Sequence, residues 1–200
     1  MAVSPASNAL VTWAEYKVLF SITDDIDQDK YQTLINQASS RIEAYCKRDA
    51  LKAVEYAGAT ALIIDGSGSN TLVVPRFPVN TIAHLYVDSE RAFAASSEIV
   101  STDYTFYINP GIILLHSAIF PELPACVKLE CNAGYASTSS KWQILQNAAF
   151  ELVRWMVVRV GTMGFIGMRS QTNADGMNTS WETEMPMNIK MMLEDFRSRE

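Results

Sequence analysis

The sequence predicts an α+β protein, mainly helical: a bundle of two N-terminal helices, one long helix and one C-terminal helix, with a small antiparallel β subdomain inserted before the long helix. Three observations predict it. Apolar residues recur at spacings of three and four from Tyr31 to Cys46; short apolar runs broken by Gly and Pro fill residues 54–135; and the stretch Lys141–Val160 is apolar nearly all round.

The first helix is announced by Thr12-Trp13-Ala14-Glu15, the capping-box form in which the Thr hydroxyl accepts the Glu15 N–H and the Glu carboxylate reaches back. Val11 and Tyr16 supply the accompanying apolar staple, and the helix runs to about Phe20. Asp24, Asp25, Asp27 and Asp29 then cluster where a helix N-terminus favours negative charge. They precede the stripe Tyr31, Leu34, Ile35, Ala38, Ile42, Tyr45 and Cys46 of the second helix. A calcium loop is excluded on spacing, because the acidic run has neither the central Gly nor the closing Glu.

In the middle block, Thr60–Asp65 and Thr71–Val74 read as two strands joined by the turn Gly66-Ser67-Gly68-Ser69-Asn70, with Pro75 and Pro78 ending the run. Thr81–Val87 alternates. Tyr104–Ile108 and Ile112–Leu115 flank the turn Asn109-Pro110-Gly111, and Ala125–Cys131 is the last strand. Six short strands in sequence predict a small antiparallel sheet or barrel.

Ser140 is placed to cap the long helix, whose second half, around Trp155, must be covered on several sides. Residues 161–185 form a Gly-rich polar arm with apolar Met163, Phe165, Ile166 and Met168, long enough to be functional or disordered. Pro186 suits the first turn of the C-terminal helix, 186–197, with Ile189, Leu193 and Phe196 as its buried row.

Composition narrows the function classes. At 200 residues with 48% hydrophobic content, folding buries roughly 70% of the extended chain's surface, so the core needs no metal or disulfide. Cys46, Cys126 and Cys131 are odd in number and lack a Cys-x-x-Cys pair, which points to a reducing compartment. Five positions apart in a strand, Cys126 and Cys131 are expected on opposite faces. The N-terminus has no signal-peptide pattern. The apolar tract 148–160 contains Glu151, Arg154 and Arg159, so no membrane span is expected. A net charge of -6 argues against a surface that grips duplex DNA, while suiting a channel through which DNA slides.

A search for reaction chemistry finds little. Gly66-Ser67-Gly68 is neither a nucleophile elbow nor a phosphate loop. His84 and His116 sit in predicted strands with no acid or cysteine at a useful local spacing. The acid pairs Asp24/Asp25 and Glu182/Glu184 read as solvated cap and loop charges. No cofactor is expected, and an enzyme reading would rest on a tertiary pairing of Cys126 or Cys131 with a histidine, as in a small hydrolase. Trp13 and Trp142 read as helix-start packing, whereas Trp155 suits core or interface and Trp181 stands alone in a polar loop as an interface candidate.

The order of these blocks carries a resemblance. The segment Leu34-Ile35-Asn36-Gln37-Ala38-Ser39-Ser40-Arg41-Ile42-Glu43-Ala44-Tyr45-Cys46-Lys47-Arg48 is followed by Leu72-Val73-Val74-Pro75-Arg76-Phe77-Pro78-Val79 and Ile82. Then come Asp103-Tyr104, Gly111-Ile112, Gly134-Tyr135, and the tail from Arg169-Ser170 through Ala174-Asp175-Gly176 to Met185-Pro186. Together and in order, these resemble tailed-phage head-tail connector proteins of the portal-adaptor type. Residues 88–101 have no counterpart in that pattern.

The resemblance implies a single connector domain over 1–200, repeated about twelve times in a closed ring with head-to-tail contacts. It implies a structural virion protein at the head-tail neck, made in the bacterial host's cytoplasm. Its partners would be the portal protein, a tail or stopper protein, and double-stranded DNA passing through the lumen. Residues expected to meet a sibling copy or the portal are Arg154, Trp155, Arg159, Phe165, Met168, Arg169, Trp181, Ile189 and Phe196; Arg154 and Arg159 would donate intersubunit salt bridges or extend to solvent. A tail-completion protein or another protein-binding adaptor is the alternative.

Overall fold

The capping box forms as its residue types dictate. In the computed structural model, which describes residues 2–48, 51–163, 170–172, 178–180 and 185–198, α1 spans Trp13–Phe20. Thr12 Oγ1 accepts the Glu15 N–H at 3.2 Å, and Glu15 Oε2 accepts the Thr12 N–H at 2.7 Å. Helix α2 spans Gln28–Cys46, α3 Ser140–Met163 and α4 Met187–Leu193, the last continuing into a 3-10 turn at Glu194–Phe196.

Two caps differ from expectation. Asp27 precedes α2 without a side-chain capping bond, while Asp25 is drawn to α1 and Asp29 accepts the Val3 N–H at 2.9 Å. At α3 the capping hydroxyl is that of Ser139, which accepts the Trp142 N–H at 3.1 Å, and Ser140 is already helical.

The chain divides into two units, Met1–Leu51 with Ser137–Glu200, and Lys52–Ala136. In the first, α2 packs on α3, α3 on α4 and α1 on α2. Ile35, Ile42, Leu145 and Leu152 are fully buried, each contributing roughly 1.5–3 kcal/mol by leaving water. Trp13 stacks on Tyr31 at 5.1 Å, and Tyr16 meets Phe20 at 4.5 Å and Phe150 at 6.3 Å. The segment before α1 is tied to α2 as well. Ser39 Oγ accepts the Leu10 N–H and donates to the Ile35 carbonyl, both at 3.0 Å, while Asn36 Oδ1 accepts the Ala6 N–H.

In the second unit, β7 (Val127–Ala133) is central. It pairs antiparallel with β4 (Val79–Val87) along one edge, and on the other with β1 (Val54–Tyr56) and β2 (Leu62–Ile64) in turn. Val127, Leu129, Cys131 and Ala133 are buried while Lys128, Glu130 and Asn132 alternate away from the core. A second sheet has the order β3 (Thr71–Val73), β6 (Ile112–Leu115), β5 (Tyr104–Tyr107). Leu72, Ile113 and Leu115 join the same core, around Phe120. Residues 88–101, unmatched in the resemblance, lie across the free edge of β4: Ile99 donates to the Leu85 carbonyl at 2.8 Å and Glu98 bridges to Tyr86. The Phe77–Pro78 peptide is cis.

The mainly helical architecture is not what the chain adopts. Helices make up 37% of the described residues, and residues 52–136 build seven strands into two antiparallel sheets around their own core. Nor are β2 and β3 a hairpin; they lie in different sheets. The cause sits at Gly66, where a Cβ would fall 1.8 Å from the Pro121 carbonyl oxygen and whose N–H reaches the Leu123 carbonyl at 2.9 Å. The chain is thereby turned onto residues 121–123 instead of folding back. At Gly134, with φ +113, a Cβ would lie 2.4 Å from the Lys52 carbonyl oxygen, which explains the glycine in the Gly134-Tyr135 pair.

Within 161–185, Gly161–Met163 belongs to α3, and Ser170–Thr172 (β8) pairs antiparallel with Asn178–Ser180 (β9).

Candidate assembly surfaces

Cys46, Cys126 and Cys131 are all buried and unpaired. Burial pushes the thiols of Cys46 and Cys131 up to about 11, away from the reactive thiolate. Cys126 and Cys131 both point inward, contrary to the alternation expected: Cys126 lies just before β7, after Ala125 at φ 53, so the strand's period does not run through it. Its thiol donates to the Pro121 carbonyl at 3.6 Å.

His84 lies opposite Glu130 in the β4–β7 ladder, on the face away from Cys131. Its Nδ1 meets Glu98 Oε1 at 2.6 Å. Glu130 in turn is held by Lys128 at 2.8 Å, which keeps its carboxyl below the usual range. Both ring nitrogens of His116 are engaged, by Thr105 Oγ1 at 2.8 Å and the Thr102 carbonyl at 3.1 Å. An open depression beside it is lined by Asn70, Ser117, Ala118 and Ile119. No Cys–His dyad is assembled among the described residues, and none of their His, Cys, Asp and Glu side chains group to hold a metal ion. No helix among them is long and apolar enough to cross a membrane.

The turn Gly66-Ser67-Gly68-Ser69 has a structural use. Thr71 is the outer-edge residue of β3, and its carbonyl accepts from Ser67 Oγ at 2.6 Å and Ser69 Oγ at 3.0 Å, while Ser69 Oγ accepts the Thr71 N–H at 3.2 Å. Edge backbone that would otherwise pair with another strand is occupied by hydroxyls of its own chain.

Of the residues expected at an interface, Arg154 is on the solvent side of α3, 63% exposed, with Glu151 at 3.9 Å. Trp155 is half-buried, and Arg159 follows on the same helix. Ile189 and Phe196 fill the core of their own unit. Their helix is anchored to the end of α2, where Tyr45 donates to Glu194 Oε2 at 3.2 Å and the Ser198 N–H reaches the Cys46 carbonyl at 2.8 Å. Phe165, Met168, Arg169 and Trp181 lie outside the described residues.

Exposed apolar surface occurs where the residue pattern did not point. Val18 is 82% exposed and Ile26 88%, with Leu19 also open to solvent. Between them, Asp25 Oδ1 accepts from Lys17 Nζ and Trp13 Nε1, each at 2.8 Å, which ties the α1–α2 loop back onto α1. In the second unit, Val73, Ile112 and Tyr107 form a cross-strand row on the outer face of the three-stranded sheet, with Val73 and Tyr107 exposed. An eight-residue helix carries too few turns for its solvent face to be read from periodicity, and Ile26 is hidden in sequence among four aspartates.

The sequence matches no family model and no curated protein. The fold does have counterparts among solved structures, and three of them come from particle necks and a virion. One, described as the neck of an empty GTA particle computed with C6 symmetry, aligns with 100% of this chain and 95% of its own at 18% identity and a TM-score of 0.57. The neck of a native GTA particle computed with C12 symmetry gives the same coverage and TM-score at 15% identity. The virion of a native gene transfer agent (GTA) particle does so at 17%. At these identities the likeness is one of fold, covering both units end to end.

Proposed function

We propose that this chain is a structural neck subunit of a tailed phage or phage-like particle. It assembles into a ring that docks on the portal, offers the tail or a stopper protein its platform, and leaves a lumen for double-stranded DNA. The observation that carries this reading is the end-to-end fold likeness to chains of necks computed with sixfold and twelvefold symmetry. Three features support it. Large apolar side chains stand exposed in both units, among them Val18, Leu19 and Ile26 in the first and Val73 and Tyr107 in the second, as at interaction sites. The net charge of -6 suits a conduit that DNA must not stick to. Cys126 and Cys131, the nucleophile candidates, are both buried, and burial pushes the Cys131 thiol up to about 11, which favours a structural role over an enzymatic one.

The test is imaging of the purified protein by negative stain at high concentration, together with co-sedimentation on portal rings. Annular particles that bind the portal are expected. A protein that stays monomeric and ignores the portal overturns the reading, and binding to tail components alone would assign it to tail completion instead.

A further inference from the structure

We propose that residues 88–101 are a detachable strap on the outer edge of β4, and that releasing it opens this edge to β4 of a second copy. Strand β4 has nine residues, whereas β1, β2 and β3 have three each and β5 has four. One side of β4 is paired along its length with β7. Bare, the other side would be a long row of unpaired N–H and C=O groups, a template for another strand. The strap fills that place. It returns antiparallel, with Glu98 bridged to Tyr86, the Ile99 N–H on the Leu85 carbonyl at 2.8 Å and His84 Nδ1 against Glu98 Oε1 at 2.6 Å. Ile99 also packs against the core of the unit.

Three observations make the strap separable from the sheet. Among the described residues it meets the β4 backbone at Glu98 and Ile99, towards one end of the strand. Ser89–Ala92 and Ala94–Ser96 are exposed, so opening uncovers little apolar surface besides Phe93 and Ile99. The loop that returns it is strained: Arg91 at φ 61 and Phe93 at φ 47 occupy the left-handed region, which residues with side chains rarely adopt. The Asp88 carboxylate holds them there, accepting the Glu90 N–H at 2.8 Å and the Phe93 N–H at 2.7 Å. Few contacts and a conformation that relaxes on release belong to a segment that opens while its sheet stays folded.

The occupant follows from the strap's own pairing. Its place takes an antiparallel strand, and an antiparallel edge is its own complement. Two β4 strands related by a twofold axis at Tyr86 bring Leu85 of each to Val87 of the other, and such a contact closes at two copies. The β3 rim is no rival, because Thr71 is already engaged by Ser67 and Ser69.

Crosslinking at position 86 tests this, because residues facing each other across an antiparallel pair lie within disulfide reach. In the Tyr86→Cys protein the closed strap keeps Glu98 opposite that thiol, and mild oxidation with diamide is expected to leave the chain single. Adding Glu98→Lys breaks the clasp, and Ile99→Pro removes the N–H donor as well. The opened proteins are expected to give about tenfold more covalent dimer than the closed one. His84→Glu combined with Glu98→Lys restores the clasp with its charges exchanged, and is expected to return the yield to the closed level. Circular dichroism and the urea midpoint verify that the sheet stays folded; where Ile99→Pro lowers either, Glu98→Lys without it is the opened protein. Equal dimer yields from closed and opened proteins overturn the inference, as does a charge-exchanged protein that crosslinks as readily as Glu98→Lys. Rings joined through other surfaces carry no link at position 86, so the neck reading stands or falls separately.

Discussion

At Gly66 a single hydrogen atom decides how the strands are shared out. The Pro121 carbonyl occupies the space a methyl group would need, so Gly66→Ala must displace backbone on one side or the other. The expected cost is on the order of 3 kcal/mol, read as a lowered urea midpoint. The cysteines make a second prediction at this scale. With Cys46 and Cys131 pushed up to about 11, both should resist iodoacetamide at pH 8 in the folded protein and react once it is unfolded. The linkage has a definite sign. Between the ordinary thiol value of 9.0 and about 11, the folded chain keeps protons that the unfolded chain releases. Stability is therefore full below that window and falls as pH rises through it. A urea midpoint lower at pH 10.5 than at pH 8, with the drop reduced in the Cys46→Ala, Cys131→Ala protein, is the expected result.

Among elements, the N-terminal helices show how local signals and long-range ties divide the labour. The capping box, the stripe of α2 and the staple pair Val11 and Tyr16, both buried, were all legible because each depends on residues within a few positions of one another. The partners of the aspartates were not legible. Whether Asp25 caps its own helix or reaches back to Lys17 and Trp13 depends on the path of the loop, which no local pattern encodes. Lys17 and Trp13 hold the Asp25 carboxyl below its ordinary value, so the tie persists above that value and is lost as pH falls through the lowered one. Trp13 fluorescence should accordingly change in strongly acidic solution, and should lose that acid-side transition in Asp25→Asn. Ser39 sits in the stripe as a polar residue, yet it is buried between the Leu10 N–H and the Ile35 carbonyl. Ser39→Ala leaves that amide unsatisfied at a cost of about 1–3 kcal/mol, measurable by thermal or urea unfolding.

For the whole molecule, the sequence conveyed the order of blocks but not their weight. Strand β4 could be found from its own alternation, and β5 and β6 from the Asn109-Pro110-Gly111 turn between them. That β7 would serve as the shared centre for β1, β2 and β4, and that β3 would leave β2 for another sheet, are long-range choices made at Gly66 and in the Phe120 core. The exposed corner at Val18 and Ile26 was equally hidden, since exposure is a property of the assembled fold.

The two serine hydroxyls laid along Thr71 bear on how such a protein survives its own abundance. Crowded copies with a bare strand rim would zip rim to rim without limit. With the outward N–H and carbonyl of Thr71 already engaged, that end of the rim is closed to a stranger's backbone.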